Sequence, residues 1–65
     1  MTYRLIDVGR GKYNGTVHVA RESDLLHEVR RHLLSNDVSI EWHEGVGTIF
    51  AGFHAVGAVT RGDLN

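Results

Sequence analysis

The chain has 65 residues, 42% hydrophobic and 23% charged, with a formal net charge of −1, no cysteine and no proline. That length suits one domain, residues 1–65, with one small core. The missing cysteines exclude disulfides and thiolate zinc sites as staples, and the balanced charge lacks the strongly basic signature of a dedicated nucleic-acid binder. No apolar run of about eighteen residues is present, so no membrane-spanning helix is expected. The opening MTYRLIDVGRGK has no apolar stretch of the signal-peptide kind, and the chain reads as cytoplasmic, or as acting in a host cytoplasm.

TYRLIDV (2–8) reads as a strand, with Tyr3 and Leu5 on one face and Ile6 and Val8 on the other. TVHVA (16–20) alternates cleanly, placing Val17 and Val19 opposite His18. Between them lies Asn14-Gly15, a strong two-residue hairpin signal because a type I′ turn needs positive φ at both central positions. Two registers satisfy the pattern. The favoured one turns at Asn14-Gly15 with a bulge at Gly9 or Gly11, and the other closes a wider loop over 9–16, pairing Val8 with Val17 and Asp7 with His18. Both put Ile6, Val8, Val17 and Val19 on one face.

ESDLLHEVRRHLLSND (22–37) carries a helical stripe of Leu25, Leu26, Val29 and Leu33, with Ser23 as N-cap and Asn36 at the exit. Asp24, His27, Glu28 and Arg31 fall on the wet side. VSIEWH (38–43) alternates with Val38, Ile40 and Trp42 inward, and EGVG (44–47) reads as a turn. TIFAGFHAVGAVT (48–60) has strand character throughout and is long for one strand in so small a domain. A bend or bulge is expected at Gly52 or Gly57, with a fifth strand if the segment folds back. RGDLN (61–65) is a polar tail. The sum is a small α+β fold, a two-layer β-β-α-β-β arrangement with one helix packed on an antiparallel sheet.

Trp42, Phe50 and Phe53 are expected in the core. Phe50 and Val56 are out of phase with Ile49 and Phe53. On a sheet covered on one face only, they form an apolar patch fit for a partner or for a second copy in a homodimer, unless a bulge turns them back inward.

Little in the chain resembles catalytic machinery. Gly9-Arg10-Gly11-Lys12 lacks the spacing and following Ser or Thr of a Walker loop, and a strand follows it where a dinucleotide fingerprint needs a helix. His27 and His32 stand five apart, off the four-residue spacing of helical metal ligands, so neither metal nor cofactor is expected. No serine lies in a Gly-x-Ser-x-Gly turn, and a chain this short has little room for a pocket of about 300 Å³. The reading is therefore a protein with no catalytic residues, not an enzyme.

What remains is the hairpin tip, where Arg10, Lys12 and Tyr13 offer two cations and an aromatic of the kind found at interface hot spots. Charge is also unevenly spread. Residues 1–21 carry four cations against Asp7 alone, a net +3, and residues 22–44 carry six acids against Arg30 and Arg31, a net −4. Such polarity suits a mixed solvated surface, and equally the steering of a partner or head-to-tail self-association. Protonating all five histidines would move the formal charge from −1 to +4, so any interface should respond to pH between about 5 and 7. Two functional readings follow. The first is a non-catalytic module that binds a larger protein, such as a small inhibitor or adaptor encoded by a virus or mobile element, for example an inhibitor of host defence nucleases. The second is a nucleic-acid binder that inserts the basic N-terminal hairpin into a major groove, with Arg10 and Lys12 on phosphates and Tyr13 stacked on a base.

Overall fold

The computed structural model describes residues 1–34 and 36–62. Strand β1 (Thr2–Val8) is followed by β2 (Tyr13–His18), a 3₁₀ turn (Glu22–Asp24), helix α1 (Leu25–Arg30), β3 (Val38–His43), β4 (Val46–Ala51) and β5 (His54–Arg61). The strands form one antiparallel sheet in the order β2-β1-β5-β4-β3, so the last segment does fold back to give the fifth strand. Three connections are hairpins, and β5 closes against β1. The chain must therefore cross from edge strand β2 to edge strand β3, and α1 lies in that crossing, over one face of the sheet. Among the described residues, the other face has no second layer.

The core lies between that face and the helix. Tyr3, Leu5 and Val8 from β1, Val17 from β2, Val38, Ile49 and Val59 from the remaining strands, and Val19 meet Leu25 and Val29 of α1. This inverts the expected face of β1. Pairing runs from Thr2↔His18 to Leu5↔Gly15 and then slips to Val8↔Tyr13. The slip is a bulge centred on Asp7, whose φ is 50°. One extra residue reverses the alternation, so Val8 joins Tyr3 and Leu5 in the core while Ile6 points to the other side. The same register sets His18 opposite Thr2, where its Nδ1 lies 3.0 Å from Thr2 Oγ1, and not opposite Asp7.

The turn is not at Asn14-Gly15, which lies inside β2. It comprises residues 9–12, with Gly9 at φ 75°, Lys12 at φ 54° and the Lys12 amide donating to Gly9 O at 3.2 Å. Asn14 serves the bulge with its side chain. Its Nδ2 donates to Asp7 Oδ1 at 3.2 Å and to Lys12 O at 2.9 Å, and its Oδ1 accepts from the Asp7 amide at 3.3 Å. Asn14→Ala is expected to cost about 1 kcal/mol, the net worth of exposed hydrogen bonds of this kind, measured by urea unfolding.

The helix is shorter than its periodicity suggests. It ends at Arg30, and neither Ser23 nor Asp24 makes a side-chain cap. Beyond it the His32 amide bonds Val29 O at 3.0 Å and the Leu33 amide bonds Arg30 O at 3.1 Å, tighter i→i−3 turns that carry Leu33 to the edge of the core. Ser35 lies outside the described residues, as does the tail from 63 onward.

The aromatic core does not form. Trp42 is 40% exposed at the rim of the covered face, its ring 6.1 Å from that of Tyr3. Phe53 is fully exposed because Gly52-Phe53 is the turn of the β4–β5 hairpin, with Ala51 opposite His54. Gly52 carries a positive φ of 62° and Phe53 does not, the pattern of a type II′ turn. Likewise, only Glu44-Gly45 of EGVG turn, both with positive φ, and Val46 and Gly47 belong to β4. Phe50 alternates with buried Ile49 and so falls on the uncovered face, which leaves Tyr3 and aliphatic side chains to fill the core.

Candidate binding groove

β1 and β5 pair only from Tyr3↔Arg61 to Ile6↔Ala58. Past that point β1 bulges at Asp7. β5 bulges as well, since its pairing with β4 shifts from Ile49↔Gly57 to Phe50↔Ala55 and leaves Val56 without an opposite residue. The two strands diverge, linked by the Gly9 amide donating to Val56 O at 2.8 Å. An open groove of about 780 Å³ occupies the space. The 9–12 turn, residues 32–34 after the helix and the β4–β5 hairpin enclose it. The chain has room for a cavity of this size because it forms between elements, at the surface, and takes nothing from the core.

Ile6, Leu33, Val56 and Ala58 are half-buried and make an apolar floor that wraps the end of the β1–β5 pairing, Leu33 and Val56 packed against the core and the paired Ile6 and Ala58 on the uncovered face, while Arg10, Lys12, His32 and Leu34 are exposed at its rim. Among the described residues, neither Arg10 nor Lys12 has a carboxylate within ion-pair reach. Asp7 also lines the groove, but Asn14 Nδ2 donates to its carboxylate. Gly9 seats the turn against the segment that follows the helix. It has a positive φ, and a Cβ there would stand 2.7 Å from His32 O. Tyr13 adds to this seating, its ring stacked on His32 at a centroid separation of 4.0 Å and an interplanar angle of 12°.

Of the three tip residues, Arg10 and Lys12 therefore reach the groove, and Tyr13 lies flat beside it as a support. Phe50 and Val56 are parted. The β5 bulge turns Val56 into the groove and against the core. Phe50, opposite Ser39 and Ala55, stays half-buried on the uncovered face. Two residues here have no periodic signal. Leu34 is 93% exposed on the rim, and Phe53, fully exposed, sits in the turn between groove residues Ala51 and Ala55. Only the Gly-x turn signal at Gly52-Phe53 could have placed the ring outside.

Among the described residues, no three His, Asp or Glu side chains come together to hold a metal, and no helix is long and apolar enough to cross a membrane. No protein-family model, curated protein or solved structure matches the chain. Function must be read from the groove itself.

Proposed function

We propose that this protein is a non-catalytic interaction module whose groove and flanks bind a larger protein, occluding it or adapting it to another. The observation that supports this is the company the two cations keep. Among the described residues Arg10 and Lys12 have no carboxylate partner and share the groove with Leu34, which is 93% exposed, while Phe53, fully exposed, sits at the turn between lining residues Ala51 and Ala55. Fully covering a side chain of either type is worth about 1.5–3 kcal/mol, which the isolated domain forgoes. A partner surface that covers both and meets the cations recovers it. Such action is what a small inhibitor or adaptor encoded by a virus or mobile element would need.

The nucleic-acid reading draws less support. β1 is flanked by β2 on one side and β5 on the other, so the hairpin is no free two-stranded ribbon. Its aromatic is also engaged with His32.

Affinity capture with in-cell cross-linking tests the proposal. The natural-sequence protein should retain a specific protein that the Arg10→Glu/Lys12→Glu and Phe53→Ser variants lose by about tenfold or more, while their circular dichroism stays unchanged. Equal capture by all three proteins would refute it. Binding to duplex DNA or RNA that weakens steeply with salt, and with Lys12→Ala, would transfer the function to nucleic acid.

A further inference from the structure

The geometry points to a ligand class for this groove: an acidic, apolar segment of a protein partner, with carboxylates at Arg10 and Lys12 and large aliphatic or aromatic side chains on the floor. The inference rests on the groove being the partner site. Arg10 and Lys12 present only donors, so the groups that satisfy them must be acceptors, and charged acceptors bind them best. Among the described residues Asp7 is the one carboxylate lining the groove, and it accepts a hydrogen bond from Asn14 on the side of the bulge, and so offers little competition. Charge complementarity therefore selects against basic segments and for acidic ones.

The floor sets the second half of the class. Leu33, Val56 and Ala58 give aliphatic surface and no base-stacking platform, and the Tyr13 ring is already folded over Gly15 and stacked on His32. An isolated small anion would leave Leu34, on the rim, and Phe53, at the turn between lining residues Ala51 and Ala55, in water. A polypeptide lying across the groove reaches both. Its apolar residues would alternate with, or neighbour, the acids that meet the turn.

Selection of a random peptide display library on the full chain tests this, followed by binding of the enriched synthetic peptide. The expected consensus places Asp or Glu within a few residues of Leu, Ile or Phe. Amide shifts should concentrate at residues 9–12, Leu33 and Val56. Arg10→Glu with Lys12→Glu should weaken binding by about tenfold or more, and a peptide with Lys in place of its acids should recover affinity for that variant. Both substitutions lie on exposed turn positions, and an unchanged amide spectrum elsewhere verifies the fold. A neutral or basic consensus, no enrichment, shifts mapping away from the groove, or preference for a DNA oligonucleotide overturns the inference. If partner capture still depends on Phe53 and the two cations while no acidic consensus emerges, the ligand class fails and the interface stands. If capture is also independent of them, both fail.

Discussion

Replacing Gly57 with alanine is expected to destabilise the protein by about 1–3 kcal/mol, the cost of overpacking a tight contact. A Cβ at Gly57 would stand 2.9 Å from both Val8 Cα and Val8 Cγ2, and 3.3 Å from Asp7 O. The obstructing atoms are mostly backbone, so β1 must move off β5 where the two strands begin to diverge. A single core of this size rarely supplies more than about 3–5 kcal/mol, which makes the loss a large share of the whole. The groove is built on that divergence, and its residues should shift with the strand. Urea unfolding measures the loss, and amide spectra of residues 6–10 report the displacement. Gly11→Ala is the control. Nothing lies within 4 Å of the added Cβ, and Gly11 is not among the positive-φ glycines. It should be neutral or stabilise by up to about 1 kcal/mol through the unfolded chain. Equal effects at the two glycines would show that β1 and β5 are not packed this closely.

Leu25→Ala should cost about 2–5 kcal/mol and leave the chain near its unfolding threshold at room temperature. Leu25 is 1% exposed and, with Val29, is one of two helical side chains fully inside the core. With so short a helix, the facing strands cannot close over the cavity from the helical side. Leu34→Ala and Phe53→Ser make the contrast. Both remove large apolar groups, yet at 93% and 100% exposure they should change stability by no more than about 0.5 kcal/mol. Thermal and urea unfolding of the three variants separates the residues that hold the fold from those available to a partner. A Phe53→Ser loss comparable to that of Leu25→Ala would mean that the ring is buried, and would remove it from the proposed surface.

Much of this was legible in the residues, and the misreadings share a cause. The helical stripe of Leu25 and Val29, the inward Val38 and Ile40, and Val17 opposite His18 all fall where their periodicity puts them. A side chain's face follows from spacing wherever the backbone keeps a regular period. The α+β class, the antiparallel sheet, the fold-back of the last strand and the cationic residues of the tip follow from the same local rules. Each misreading sits where one residue breaks the period. The Asp7 bulge exchanges the faces of Ile6 and Val8, and the β5 bulge separates Val56 from Phe50. Neither is local to its strand, because a bulge is defined by the partner's register. Asn14-Gly15 had the propensity for a turn, but Gly9 against His32 O and Asn14 bonded to Asp7 placed the turn four residues earlier.

Local sequence was enough for the class of the fold, the helix's own contribution to the core through Leu25 and Val29, and the presence of two cations between the first two strands. Periodicity and turn chemistry act within a few residues, and those features need nothing longer-ranged. Tertiary contacts are what bring the cations to an apolar groove with Leu34 exposed on its rim, and leave Phe53 in water at the turn between lining residues Ala51 and Ala55. The groove exists only where two bulged strands diverge beside the segment leaving the helix. That meeting of residues 6–12, 32–34 and 51–58 depends on sheet register and chain crossing, which no short stretch encodes.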